Sequence, residues 1–149
     1  MDLVELKFLN LITSLVVIMT DRKNNLDLSC AKIGKKIVDE LKGKNSHSDI
    51  KNAIQKSLGV LQEDGIYAFY VYLKSEGCVS SKIAESSWNI FNDGLNFVDC
   101  GYDKNKFNQS LKDKILNDLD KTFLAKDVLE KTMIYTRYHA KALSNEEEE

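Results

Sequence analysis

Not one of the 149 residues is proline. An average chain of this length carries about seven. Proline fixes one backbone angle, removes an N–H donor and clashes with the preceding helical turn. A chain without it can run long helices unbroken, and it has no proline-rich ligand segment. Apolar residues recur at three- and four-residue spacing through most of the sequence, the signature of a helix face turned inward. With 43% hydrophobic and 30% charged residues, the chain can form a sizeable core and disorder is not expected. The expected fold class is all-α: a compact bundle of about six or seven helices, one domain over residues 1–143 and a disordered acidic tail over 144–149.

The spacing predicts a first helix from about Asp2 to Thr20, with Val4, Phe8, Leu11, Leu15 and Ile18 on one stripe. Leu3, Ile12, Val16 and Met19 widen it, so this helix is expected at the centre of the core. Its apolar run from Phe8 to Met19 is only 12 residues and is interrupted by Asn10, Thr13 and Ser14. A membrane span needs about 20. Asp2 and Glu5 ahead of it, against Lys7 alone, are the wrong charge pattern for a secretory signal. Asp21 to Asn25 reads as a polar break. A second helix, Asp27 to Leu41, uses Ile33, Ile37 and Leu41, with Gly43 as its stop. Gly34 either weakens it or permits close helix contact.

Ser46 to Asp49 offers a capping start for a third helix with Ile50, Ile54, Leu58 and Leu61, ending near Asp64-Gly65. Ile66 to Leu73 reads IYAFYVYL, whose β-branched and aromatic content suits a strand. It lacks period-2 polarity and has no partner strand, so a buried helix closed by Gly77 is preferred. A fifth helix spans about Ser81 to Asp93, with Ile83, Trp88 and Phe91. Gly94 and Gly101 bracket a loop. A sixth uses Phe107, Leu111, Ile115 and Leu119, and the last runs from about Leu124 to Leu143.

The chemistry-bearing residues do not assemble into an active site. His47 and His139 lie in separate elements, without the partners that zinc or nucleophilic chemistry needs at defined spacing. Asp39-Glu40 and Glu63-Asp64 are sequence neighbours, about 100° apart on a helix, so neither is a ready acid–base couple. The seven glycines form no phosphate loop. Cys30, Cys78 and Cys100 are widely spaced and odd in number, which suits a reduced, intracellular protein. No catalytic residue, metal site or cofactor is expected. The aromatic residues Tyr67, Phe69, Tyr70 and Tyr72 suit core packing better than base stacking.

Charge is more informative. Net charge is −2, from 21 basic and 23 acidic residues. Glu146 to Glu149 account for four of the acids, and without them the balance is +2. The body is therefore mildly basic. Lysine outnumbers arginine 19 to 2, which disfavours bidentate arginine recognition. Lys32 and Lys36 share a helical face with Lys35 close by, and Arg137 and Lys141 share another. Such clusters can hold a phosphate backbone, although a solvated face is the commoner role for lysines. A DNA-binding helix-turn-helix module is a further, unspecific match.

Two segments resemble a known family. The run from Ala53 to Gly77, AIQKSLGVLQEDGIYAFYVYLKSEG, is similar to the signature of the small α-helical subunit of type III-B CRISPR effector (Cmr) complexes. Glu63-Asp64-Gly65 ends one helix and Tyr72-Leu73-Lys74 ends the next, as in that family. The C-terminal MIYTRYHAKAL resembles the family's closing helix through Arg137-Tyr138 and Ala140. His139 departs from the pattern, and the usual tryptophan is missing. The resemblance implies a non-catalytic structural subunit in the cytoplasm. Copies of it would stack along crRNA and target RNA, contact other subunits of the effector complex, and turn basic residues towards the RNA. Lys32, Lys35, Lys36, Arg137 and Lys141 are the candidate RNA-binding set. A protein–protein adaptor without nucleic-acid contact and a small DNA-binding regulator are the alternatives.

Overall fold

A computed structural model describes residues 2–147, apart from the side chains of 16–25, 144, 146 and 147. The fold is all-α, as expected. Among the described residues it has six α-helices, two π-helical turns and no β-strand.

The first helix corrects the reading of two helices with a polar break. A single helix, α1, spans Leu3–Leu41 and is 39 residues long, about 58 Å at 1.5 Å per residue. Asp21 to Asn25 do not interrupt it. Their helix propensities fall short of alanine by at most about 0.7 kcal/mol each, less than the roughly 1 kcal/mol of glycine or about 3 of proline, and α1 holds no glycine before Gly34. Asp2 caps the start, its carboxylate accepting the Val4 N–H at 3.2 Å. Gly43, with φ of +85°, turns the chain away after the last turn.

The expectation that the first helix is central is overturned over its first three turns. Leu3, Val4, Leu6, Phe8, Leu9, Leu11 and Ile12 are all exposed, with Leu3 at 66% and Phe8 at 61%. Val16, Ile18 and Met19 of the expected stripe lie outside the described side chains. From Leu26 onward, Leu26, Cys30, Ile33, Ile37, Val38 and Leu41 enter the core.

The next helices follow their local signals. α2 (His47–Asp64) starts at Ser46, whose hydroxyl accepts the Asp49 N–H at 3.2 Å. It buries Ile50, Ile54, Leu58 and Leu61 and stops at Gly65, φ +96°. α3 (Ile66–Ser75) contains IYAFYVYL as a helix and buries Ile66, Phe69, Tyr70 and Leu73. α4 (Cys78–Ser87) begins three residues before its expected start. It then widens into a π turn over Ile90–Gly94. Trp88 donates its indole N–H to the Cys100 carbonyl at 3.0 Å, which ties down the loop after that turn.

The expected sixth helix proves to be two pieces, α5 (Phe107–Leu111) and a π turn over Lys112–Leu116. Leu119 does not belong to it. It opens the last helix, α6 (Leu119–Glu147), and is exposed. Asp118 accepts the Lys121 N–H at 3.1 Å, an N-terminal cap absent from the sequence reading, and α6 therefore starts five residues early. At the other end, Asn145 to Glu147 of the expected tail continue α6, while Glu148 and Glu149 lie outside the described residues.

Two features hold the body together. An aromatic cluster surrounds Tyr70, with the rings of Phe69, Trp88, Phe91, Tyr102 and Phe107 all about 5 to 6 Å away. The Tyr70 hydroxyl is satisfied by Ser87 at 3.1 Å, and its burial pushes the phenol far above its ordinary range. The second feature is the packing of α1 on α6. The Cys30 thiol donates to the Val128 carbonyl, and Lys131 is bonded to Asp27. At Gly34 a Cβ would lie 3.0 Å from both the Thr136 nitrogen and the Tyr135 Cβ. The glycine is there for close approach.

Candidate nucleic-acid interface

Helix α2 packs against α6. Ile50, Ile54 and Leu58 face inward, which leaves Lys51 and Gln55, one turn apart, on the flank. On α6, Met133, Thr136 and Ala140 are buried, and Arg137, Tyr138 and Lys141 emerge exposed. Between the two flanks runs a groove of about 380 Å³, lined by Lys51, Gln55, Arg137, Tyr138 and Lys141 over Ile54 and Ala140. Among the described residues, three cations line it and no carboxylate does. The Arg137 guanidinium lies 5.6 Å from the Tyr138 ring centroid, a cation–π distance. Tyr138 is 57% exposed, so its ring is open to a further stacking partner.

The structure divides the five expected RNA-binding residues. Arg137 and Lys141 share the groove. Lys32, Lys35 and Lys36 lie on the outer side of α1, across from Ile33, Ile37 and Leu41, and do not line it. Lys36 is partly neutralised by Glu40 at 3.9 Å. Glu40 also takes Lys82 at 3.6 Å and the Ser86 hydroxyl at 2.7 Å. The two sets leave the same helix crossing, since Gly34 meets Thr136 one residue before Lys35 and one before Arg137.

Lys51 and Gln55 are absent from the sequence-derived set. Their only sequence signal is a position off the Ile50-Ile54-Leu58 stripe, which every surface residue of α2 shares. What singles them out is the neighbouring helix.

The remaining chemistry-bearing groups are dispersed. Asp39 pairs with Lys42 at 3.2 Å, and Glu63 and Asp64 end α2 in solvent. Cys30 is buried and Cys78 and Cys100 are exposed. Burial pushes the Cys30 thiol up, against a hydrogen bond with Thr132 that lowers it. Among the described residues, no group of His, Cys, Asp and Glu could hold a metal ion. A second hollow of about 360 Å³, lined by Tyr67, Asn108, Gln109, Lys112 and Leu116, offers one cation instead of three. Among the described residues, no helix is long and apolar enough to cross a membrane.

Fold and groove together define a class: an all-α protein with a basic, aromatic-edged groove between two helices. Comparison with family models, with curated proteins and with solved structures finds no match.

Proposed function

We propose that this protein is a non-catalytic, RNA-binding structural subunit acting in the cytoplasm, of the kind that type III-B CRISPR (Cmr) effector complexes use along their crRNA and target RNA. The observation that carries the reading is the α2–α6 groove, where Lys51, Arg137 and Lys141 converge with no acidic residue among the described lining. Three cations lining one groove suit a phosphate backbone, and an exposed tyrosine beside an arginine suits an unstacked base. Such binding is sequence-tolerant, as a backbone-following subunit requires.

The test is fluorescence anisotropy with single-stranded RNA across a salt series. On a single strand each lost phosphate contact lowers the salt slope by about 0.7 unit. Changing Lys51, Arg137 and Lys141 together to alanine is expected to flatten the slope by about two units and weaken binding at low salt. The triple change of Lys32, Lys35 and Lys36 is expected to do less, because those residues lie outside the groove. Unchanged RNA binding in the groove variant refutes this reading.

One observation favours the adaptor alternative: the exposed apolar half of α1, which suits a protein partner better than a nucleic acid. RNA-independent capture of effector-complex subunits, unaffected by the groove substitutions, would support it.

A further inference from the structure

The stretch of α1 from Leu3 to Leu15, here called the arm, leaves seven large apolar side chains at 40% to 70% exposure. Soluble monomers rarely leave a contiguous apolar patch beyond about 300–600 Å², and larger patches mark interaction sites. The arm adds a cleft of about 140 Å³, where Leu11 and Leu15 meet Phe97 and Leu124 of the body, with Asp118, Asp120 and Lys121 also lining it. Leu119 and Phe123, at the start of α6 beside this cleft, are exposed too, at 68% and 59%.

Val4, Phe8, Leu11 and Leu15 are spaced four, three and four apart. That is the alternation of the inner positions of a heptad, which keeps one seam facing a partner helix. In one antiparallel register, Val4 lies against the partner's Leu15 and Phe8 against the partner's Leu11. Two-fold symmetry repeats both contacts, so all four layers are apolar. On the flanks, Lys7 meets the partner's Ser14 and Glu5 meets the partner's Ile12. Along the paired arms themselves no like charges face each other, and Lys121 in the cleft offsets one of its two aspartates. The register one heptad shorter would set Lys7 against the partner's Lys7 and Glu5 against the partner's Glu5, a repulsive alternative. A parallel pair would bring both bodies to the same end, where Leu15 already lies beside its own Phe97 and Leu124. The antiparallel pair brings only the slender start of the other arm to that cleft.

We propose that the arm is the dimerisation element of this protein: two copies pack their Leu3–Leu15 segments antiparallel along the Val4-Phe8-Leu11-Leu15 seam, each arm tip entering the other copy's cleft. A stable dimer needs about 800 Å² from each partner. Seam, cleft and the Leu119–Phe123 surface are the apolar surface available for it. The inference does not rest on the RNA reading, since the groove is formed by α2 and α6 alone.

Sedimentation equilibrium of the full chain at micromolar concentration tests it. The expected mass is twice the 17.0 kDa of one chain. Phe8→Asp and Leu11→Asp together are expected to give a folded monomer with unchanged helical dichroism. Leu6→Asp, off the seam, is expected to leave the dimer intact. In a Cys78→Ser, Cys100→Ser background, a mixture of Val4→Cys and Leu15→Cys chains is expected to form a disulfide-linked pair, and Val4→Cys alone is not. A monomeric unmodified chain, a dimer that survives the seam substitutions, equal disruption by Leu6→Asp, or self-linking of Val4→Cys each overturns the proposal. So does arm-dependent binding to phosphatidylcholine vesicles by a chain that stays monomeric. Dimer formation by the Lys51, Arg137, Lys141 variant keeps this result separate from the RNA reading, whichever way that falls.

Discussion

The two ends of α1 have the same apolar rhythm and opposite surroundings. Between Leu26 and Leu41, the inner stripe meets α4, α6 and the π turn after α4 and is buried. Between Leu3 and Ile12, an equally apolar stripe is exposed. Helical periodicity specifies a face. It does not specify what covers that face, because the cover is supplied by distant elements of the chain or by another molecule. The body half is covered by its own chain. The arm, from Leu3 to Ser14, is not.

The largest expected effect separates the two halves directly. Ile37 is fully buried, and truncating it to alanine leaves a cavity that costs about 2–5 kcal/mol. Leu6→Ala in the exposed arm is expected to change stability by less than about 0.5 kcal/mol. Urea unfolding at low protein concentration, where self-association does not contribute, checks both. Leu15, half-buried at the mouth of the cleft, should fall between them. A Leu6 penalty equal to that of Ile37 would break the comparison.

A smaller effect probes why the body half is held so closely. Gly34→Ala places a methyl 3.0 Å from the Thr136 backbone and from the Tyr135 Cβ. The gain in helix propensity, about 1 kcal/mol, is offset by forcing α1 from α6, and overpacking of this kind costs about 1–3 kcal/mol. A net loss of stability is expected, growing in Gly34→Val. The arm holds no glycine, and no crossing there demands one.

Stability should also depend on pH through the buried thiol of the body. Cys30 sits buried against α6, and burial raises its pKa above the ordinary thiol value of 9.0. The folded state keeps its proton at pH values where the unfolded chain loses it. Stability is therefore complete below about pH 9 and declines as pH rises through that value towards the folded pKa. Buried Tyr70 adds a loss of the same sign at higher pH. Thermal melts of the wild type and Cys30→Ala between about pH 7 and about pH 10, values bracketing the thiol range, should differ in slope only at the alkaline end. Equal slopes would show that Cys30 is not shielded by the α1–α6 contact.

What is legible in the sequence is local. Ser46 as a cap, Gly43 and Gly65 as stops, and the helical state of IYAFYVYL each depend on a few neighbouring residues, and each is readable. The continuity of α1 across Asp21 to Asn25 escapes such a reading because polarity there mimics a break, although polar residues other than glycine and proline cost a helix little. The start of α6 escapes it because Asp118 caps the helix through a hydrogen bond that periodicity does not register. The groove is half legible. Arg137 and Lys141 share a helix face by spacing alone, whereas Lys51 joins them only because α2 packs on α6, and no spacing along the chain encodes that.

The smallest expected effect concerns the tip of the arm. Asp2 accepts the Val4 N–H at 3.2 Å and caps the first turn of α1. Replacing such a cap by alanine costs about 0.5–2 kcal/mol of helix stability. Where that cost appears depends on whether the arm is coupled to the body. Side chains from Leu3 to Ser14 are exposed, so in the monomer the first turns can fray without opening the core. Asp2→Ala should therefore accelerate hydrogen exchange at the amides of the first two turns and leave the urea midpoint unchanged. At concentrations where two arms pair, the same substitution should weaken the dimer by a small factor, because fraying competes with docking at the partner's cleft. A shift of the monomer midpoint equal to the full capping energy would show that the arm folds and unfolds with the body as one unit. The division of α1 into a covered half and an uncovered half would then be one of contact only, not of stability.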